Sequence, residues 1–297
     1  MSRVWEDTIV TALRDAQWLN CRKDGLVPAS LVPSGFLKLD GPPESGLGDV
    51  LYSAAERYYL IEVKGRRAAI SSEWRGANGP LKKLAYKRLS ALWTKLEILS
   101  SGSASQNPKD DREKLSQFFV SSFAAHHFAY WDEWDSGQSR YGEIVLESYV
   151  PACARFCEER KIDGEGLIRL WPKNYFGFLH GNSADGLTSE VIGLSDIFLQ
   201  KRPRVCLSPS SDSVGSTKPI GLRLEAFQGY VNTLLKNWEG KDESLFAVVL
   251  SDSGSFFRVV GSAKELKLLM DPRSELYSSP RKKHKKFKSY SVGKRPR

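Results

Sequence analysis

The sequence is poor in the residues and motifs that define several protein classes. Its 297 residues include four cysteines and two methionines. No apolar run approaches the roughly 20 residues that span a membrane, and the first residues lack the apolar segment of a secretory signal. Neither a phosphate-binding loop of the Gly-x-x-x-x-Gly-Lys type nor a Gly-x-Ser-x-Gly nucleophile elbow occurs. We therefore expect a cytoplasmic protein that does not contact a membrane, or a nuclear one if its host has a nucleus.

The excess of positive charge is confined to residues 281–297. The formal net charge of the chain is +9, and this segment holds nine Lys or Arg residues and no acid. The rest of the chain therefore has 35 basic and 35 acidic residues. Such a segment has the composition of disorder, and a cationic arm on a neutral body favours salt-dependent binding to a polyanion. Nuclear targeting, an acidic protein partner and solubility are alternative uses. The candidate nucleic-acid contacts in the arm are Lys282, Lys283, Lys285 and Lys286.

Two short apolar runs carry charged residues that such runs seldom contain. Residues 48–55 and 57–63 have the β-branched and aromatic character of strands and are separated by a short polar break, which predicts a hairpin. Asp49 lies on the first predicted strand, and Glu62 and Lys64 lie at the end of the second. Because side chains alternate across a strand, Glu62 and Lys64 share one face.

These three residues indicate a metal site. Two carboxylates on neighbouring strands form an oxygen-rich site suited to Mg²⁺ or Mn²⁺, and an adjacent ammonium can position water for attack on phosphorus. The alternative is a surface hairpin with a Glu and a Lys two residues apart, which is common in β proteins. The arrangement resembles the PD-(D/E)XK nuclease superfamily, with Gly48-Asp49 in place of Pro-Asp and Glu62-Val63-Lys64 as the Glu-X-Lys element.

The resemblance covers roughly residues 3–100 and implies both a fold and a reaction. The implied fold is a restriction-endonuclease-like α/β (mixed α+β) core, a central mixed sheet flanked by helices, with additional α/β elements nearer the C-terminus. The implied reaction is hydrolysis of phosphodiester bonds, with double-stranded DNA as the expected partner. The resemblance implies that Mg²⁺ or Mn²⁺ is held by Asp49, Glu62 and the carbonyl of Val63. It also implies that Lys64 orients the attacking water.

A predicted first helix offers one more acid. Residues 3–19 have apolar positions at helical spacing, namely Val4, Trp5, Ile9, Val10, Leu13 and Trp18. By its spacing Glu6 is expected to share the inward face of this helix. The first helix of many superfamily members contributes an acid to the metal site, which makes Glu6 a further catalytic candidate. The alternative is an acid in the first turn that complements the helix dipole.

Basic residues around the hairpin are candidate phosphate contacts. Arg66 and Arg67 directly follow the second predicted strand, and Arg presents a fork that fits phosphate oxygens. Lys83 and Lys87 lie in a strong predicted helix that begins at Pro80, where the resemblance implies a basic residue that assists the site. Ordinary loop charges and a solvated basic helix face are the alternatives.

Cysteine and histidine patterns give weaker metal candidates. Some superfamily members hold an iron–sulfur cluster through one early and several late cysteines, but the spacing here is poor and we expect reduced thiols. His126 and His127 could join a zinc site or act as acid and base. The aromatic residues around them favour packing and hydrogen bonding instead. The four cysteines are Cys21, Cys153, Cys157 and Cys206.

Composition shifts divide the chain into four predicted parts. Residues 1–207 form a nuclease-like domain with an insert, and the Ser-rich residues 208–217 are a linker. Residues 218–271 read as a small α-β-β-α subdomain, and residues 272–297 are a basic disordered tail. Within the first part, residues 117–131 fit either a strand or a buried helix.

The sequence therefore predicts a metal-dependent nuclease with a place in a bacterial defence or mobile-element complex, alongside other subunits of that system. One alternative is a nucleic-acid-binding or assembly subunit that keeps the nuclease fold without cleaving. Another is a scaffold that recruits an acidic partner through its tail.

Overall fold

The helices and strands follow the apolar periodicity of the sequence. The structure is a computed structural model that describes residues 5–23, 36–38, 48–54, 57–73, 84–100, 108–135, 140–159, 175–179, 188–194, 196, 204–208, 216–234, 247–250 and 257–260. The helices are α1 (Glu6–Lys23), α2 (Leu84–Ser100), α3 (Pro108–Ala125), α4 (Tyr149–Glu159), α5 (Leu224–Leu234) and one 3₁₀ helix (Arg67–Glu73). The first strands are β1 (Phe36–Lys38), β2 (Val50–Ala54), β3 (Arg57–Lys64), β4 (His126–Asp135), β5 (Arg140–Ser148) and β6 (Tyr175–Leu179). The later strands are β7 (Thr188–Ser189), β8 (Val191–Gly193), β9 (Arg204–Ser208), β10 (Ser216–Pro219), β11 (Ala247–Leu250) and β12 (Phe257–Val260).

A mixed sheet of six strands, in the order β1-β2-β3-β4-β5-β8, forms the centre of the described chain. Only β3 and β4 run parallel among these neighbours, and the other pairs are antiparallel. A parallel pair needs a crossover connection, and α2 and α3 lie in that connection. The predicted fold class, a mixed sheet flanked by helices, is confirmed at this level.

The predicted hairpin is present as β2 and β3, in a register that pairs Val50 with Ile61. Leu60, Ile61 and Val63 are almost completely buried. Since neighbouring positions of β3 face opposite ways, this strand is buried on both faces. A charged side chain near its end therefore lies in the core and not on the surface.

The first helix packs on this sheet through the predicted apolar positions Ile9, Val10 and Leu13. Ile9 and Leu13 are buried, and α1 contacts β3 and β4. Trp5, predicted to be an inward position, is 67% exposed because it precedes the first helical residue. Val4 lies outside the described residues.

The ambiguous residues 117–131 contain both a helix and a strand. The helix α3 ends at Ala125 and β4 begins at His126, with no loop between them. The end of the helix and the start of the strand are buried, and Phe119, Phe123 and Phe128 all lie in the core. Periodicity fails here because a buried helix end and a buried strand start join within one apolar run.

Residues downstream of the predicted linker join the same core. Leu222 exchanges backbone hydrogen bonds with Tyr58 at 2.8 and 3.1 Å, which attaches the start of α5 to β3. Gly221 turns the chain there with φ +73°, and a Cβ atom on it would lie 2.5 Å from the Tyr59 ring. The buried face of α5 consists of Phe227, Tyr230, Val231 and Leu234.

The predicted linker itself lies between two paired strands. β9 ends at Ser208, β10 begins at Ser216, and the two pair antiparallel in a four-stranded sheet of order β10-β9-β6-β7. The predicted β11–β12 hairpin is present. The closing helix predicted for the subdomain at 218–271 and the tail at 272–297 lie outside the described residues, and the division into domains stays a prediction.

Across the described ranges, no helix combines the length and apolarity needed to cross a bilayer.

Candidate active site

Two opposite charges are buried side by side at the end of the central strand. Glu62 is 1% exposed and Lys64 is 6% exposed, on the same face of β3. The Lys64 Nζ atom lies 2.7 Å from the Glu62 Oε1 atom and donates a hydrogen bond to it. Burial of two charges costs several kcal/mol per ion in desolvation, which their attraction only partly offsets. A buried pair of this kind contributes little net stability, so a functional reason for it is reasonable.

The third predicted residue lies directly beside this pair. Asp49 precedes β2, and its Oδ2 atom accepts a hydrogen bond of 2.6 Å from the backbone N–H of Val63. Because Val50 pairs with Ile61, Asp49 lies opposite Glu62 across the hairpin. The structure therefore brings Asp49, Glu62 and Lys64 to one end of the hairpin, as the spacing predicts.

The backbone before Asp49 adopts a conformation that favours glycine. Gly48 has φ +104°, and a Cβ atom on it would lie 3.2 Å from the carbonyl oxygen of Ile61. Only glycine adopts positive φ values without steric cost. Gly48 therefore lets the chain pass close to β3 just before the carboxylate of Asp49.

We expect Gly48→Ala to lower the free energy of unfolding by about 1–2 kcal/mol, because alanine is strained at this φ. Urea denaturation measures the change. Gly229→Ala is the matched control, since a Cβ on Gly229 meets nothing within 4 Å and alanine within a helix stabilises by about 0.5–1 kcal/mol. Equal effects of the two substitutions would contradict the conformational role of Gly48.

The donor set fits magnesium better than zinc. Asp49 and Glu62 would supply carboxylate oxygens to a cation, and Val63, between Glu62 and Lys64, would supply a backbone carbonyl. Mg²⁺ is usually bound by one or two carboxylates and keeps several waters, whereas structural zinc takes four Cys, His or carboxylate ligands. No cluster of three or more His, Cys, Asp or Glu side chains occurs in the described ranges. A cation here would therefore depend on two carboxylates, a carbonyl and water.

Glu6 lies apart from the buried face on which it was expected. Glu6 is exposed in the first turn of α1, whereas Ile9 and Leu13 of the same helix are buried. The expectation of an inward position is wrong, because the first turn extends past the packed part of the helix. An exposed acid there complements the helix dipole.

The basic candidates differ in their surroundings. Arg66 is exposed directly after β3, and Lys87 is exposed on α2. Arg67 is half-buried, and its Nε atom donates a hydrogen bond of 3.2 Å to Glu147. The remaining candidates, Lys83, Lys282, Lys283, Lys285 and Lys286, lie outside the described residues.

Glu147 is a buried acid that the sequence reasoning missed. It is completely buried on β5, where its Oε2 atom accepts hydrogen bonds from Tyr130 Oη at 2.8 Å and from Arg67. Its Oε1 atom accepts from Arg155 Nε at 3.2 Å and Nη2 at 2.8 Å. The signal was an acid among the mostly apolar residues of β5 from Ile144 onwards, the same kind of signal that identified Glu62.

The two histidines pack and hydrogen-bond, as predicted. Both are completely buried. His126 Nδ1 lies 3.0 Å from Tyr230 Oη, and His127 Nε2 lies 2.9 Å from the carbonyl oxygen of Ala124. Burial lowers the pKa of His126 to about 3 and the pKa of His127 to about 4. Both rings are therefore neutral at pH 7.

The buried Cys153 belongs to the core on α4. The side chains of Cys21, Cys157 and Cys206 are not among those described, so reduced thiols stay the expectation for them.

Comparison of the chain with protein-family models, with curated proteins and with solved structures finds no match. The chemistry of the site is therefore inferred from its own residues.

Proposed function

We propose that the protein is a metal-dependent nuclease that hydrolyses phosphodiester bonds in DNA. The observation that carries this proposal is the buried ion pair of Glu62 and Lys64 on the central strand, with the Asp49 carboxylate fixed opposite it. Two carboxylates and an ammonium held at one end of a hairpin are groups that can bind Mg²⁺ and position a water for attack on phosphorus.

Each residue has a role that follows from its contacts. Asp49 and Glu62, with the Val63 carbonyl, would hold Mg²⁺ or Mn²⁺, which would supply positive charge to stabilise the transition state at the phosphate. The Val63 N–H fixes one oxygen of Asp49, so this carboxylate reaches the site already oriented. Glu62 accepts one hydrogen bond from the Lys64 ammonium, and another N–H of the same ammonium would orient the attacking water.

The fold supports the superfamily resemblance at the level of element order. A helix, an antiparallel set of three strands and then helices precede the parallel strand β4. The order helix, strands, helix is that of the restriction-endonuclease-like core, which is the fold we propose. A bacterial defence or mobile-element complex is the proposed setting, since much of the chain lies outside this core.

The test is a cleavage assay with plasmid, linear duplex and single-stranded DNA in Mg²⁺, Mn²⁺ or EDTA. We expect product with either metal and none in EDTA, with duplex DNA as the preferred substrate. Matched RNA substrates determine whether the specificity extends beyond DNA.

A non-cleaving nucleic-acid-binding or assembly subunit is the second candidate. It is favoured by the near-complete burial of Glu62 and Lys64, which limits direct access to both side chains. In that case salt-sensitive binding would depend on the basic arm, and no metal-dependent product would form.

Deletion of residues 281–297 separates binding from cleavage. The arm holds nine cations and no acid. A plot of the logarithm of the DNA association constant against the logarithm of the salt concentration has a negative slope, which becomes shallower by about 0.9 for each phosphate that the protein no longer neutralises. We expect the truncated protein to bind DNA more weakly and with a shallower salt slope, measured by fluorescence anisotropy. Its cleavage rate at saturating DNA should stay close to that of the full chain. Loss of that saturated rate would contradict the assignment of the arm to binding alone.

A further inference from the structure

The Glu147 carboxylate lies on the same sheet face as the candidate active site. Glu62 pairs with Phe128, and Phe128 pairs with Glu147, so all three side chains project from one face. Two strand spacings separate Glu62 from Glu147, or about 10 Å between their Cα atoms. Tyr130, which donates to Glu147, lies opposite Lys64. The Glu147 network therefore begins immediately beside the catalytic candidates.

The groups around Glu147 come from three different elements. Tyr130 lies on β4, Arg67 begins the 3₁₀ helix after β3, and Arg155 lies on α4. Burial raises the pKa of Tyr130, and the Glu147 carboxylate raises it further, so the phenol remains a donor. The carboxylate thus fixes the segment that leaves the end of β3, three residues after Lys64.

The two arginines of the network differ in what they can reach. Arg155 is 14% exposed and is held on a second side by Glu190, whose Oε2 atom lies 3.4 Å from its Nε. Arg67 is 30% exposed. Its Nε atom is the one that donates to Glu147, and Nε is one of the donor groups of a planar guanidinium. Arg155 therefore serves as a counter-charge, whereas Arg67 combines a fixed guanidinium with access to solvent.

We propose that Glu147 is a positioning residue for Arg67, and that Arg67 contacts the substrate backbone at a phosphate beside the bond that is cut. This inference rests on the proposed nuclease function. An arginine anchored at Nε by a carboxylate presents a planar fork in one direction, and such a fork matches phosphate oxygens. Arg66, which is exposed, contributes charge without a fixed direction.

The test compares Arg67→Ala, Arg67→Lys and Glu147→Gln, with cleavage followed in Mg²⁺. We expect Arg67→Ala and Arg67→Lys each to lower kcat about tenfold, because lysine cannot bind Glu147 and a phosphate in the same geometry. Glu147→Gln should lower kcat to the same level, and combining it with Arg67→Ala should add nothing, since the two residues act as one unit. Arg66→Ala should raise KM and leave kcat unchanged.

Two further variants keep the test independent of folding defects. Tyr130→Phe removes one hydrogen bond to Glu147 without removing a charge, and should lower kcat less than Glu147→Gln does. Arg112 is exposed on α3, and Arg112→Ala should leave kcat and KM unchanged. A role limited to structure would lower the melting temperature of the Glu147 and Arg67 variants and leave the kcat of folded protein intact, which would overturn the proposal.

Binding to a fluorescent linear DNA duplex in Ca²⁺ distinguishes the failure of this inference from failure of the nuclease proposal. The plot of the logarithm of the DNA association constant against the logarithm of the salt concentration should have a slope that is shallower by about one for Arg67→Ala than for the wild type. If the wild type cuts DNA while Arg67→Ala matches it in kcat and slope, only the positioning role is wrong. If the wild type never cuts, the nuclease proposal fails, and the slope alone decides whether Arg67 contacts phosphate.

Discussion

Lys64→Met is expected to lower the rate of DNA cleavage in saturating Mg²⁺ by about 10²–10⁴-fold, the range for loss of a group that assists proton transfer. Methionine replaces the apolar stem of lysine with an unbranched chain that is one atom shorter, and it has no N–H group to orient the attacking water. DNA affinity should change little, because Lys64 is 6% exposed and adds little charge to the surface. Single-turnover rates on a linear duplex measure the effect directly.

Stability has to be measured in the same variant. Removal of one partner from a buried ion pair leaves the other charge uncompensated, at a cost of about 3–5 kcal/mol. The double variant Glu62→Gln/Lys64→Met removes both charges and should recover part of that loss while remaining inactive. Lys95→Met, at an exposed position of α2, is the matched control for a lysine-to-methionine change. Cleavage at the wild-type rate by folded Lys64→Met protein would contradict the assigned role.

The free energy of unfolding is expected to fall by about 4 kcal/mol between pH 7.5 and pH 5, through two buried histidines. Their pKa values are about 3 for His126 and about 4 for His127 in the folded chain, against about 6.5 when unfolded. Below pH 6.5 the unfolded chain therefore binds more protons than the folded chain. The contribution of the two neutral rings to the free energy of unfolding is fully present above that pH. It is lost as the pH falls, and the loss is about 2 kcal/mol for each ring at pH 5.

Histidine variants separate this effect from the titration of carboxyl groups. His126→Gln and His127→Gln should each remove about half of the histidine-dependent change, and the double variant should remove nearly all of it. Urea denaturation at several pH values measures the slopes. Identical pH dependence in the wild type and the double variant would show that the buried rings are not its source.

The sequence predicts the hairpin and its three charged residues because that information is local. Strand alternation, a short break and an Asp one strand before a Glu-x-Lys pair are all contained within residues 48–64. Alternation also explains why Glu62 and Lys64 share a face. The contact of Asp49 with the Val63 N–H was not expected, but the register of the hairpin requires the two strands to meet there.

Features that depend on distant contacts were harder to predict. Glu147 is distant in sequence from Arg67 and meets it only because β5 lies two strands from β3. The attachment of Leu222 to Tyr58 likewise depends on tertiary packing, so the sequence did not predict that α5 joins the core. Trp5 and Glu6 were wrongly predicted to face the core for another reason. Apolar periodicity does not show at which residue a helix begins or where its contact with the core ends.

The central claim is that Asp49, Glu62 and Lys64 form a metal-dependent site that cuts DNA. The most direct measurement is the rate of plasmid cleavage by the wild type and by Asp49→Asn, in Mg²⁺ and in EDTA. Asparagine keeps the shape of the side chain and can still accept the Val63 N–H hydrogen bond, but it lacks the negative charge that we propose binds the metal. The prediction is cleavage by the wild type in Mg²⁺, no product in EDTA, and a rate for Asp49→Asn that is lower by about 10²-fold or more. Equal rates for the two proteins, or product that forms equally well in EDTA, would contradict it.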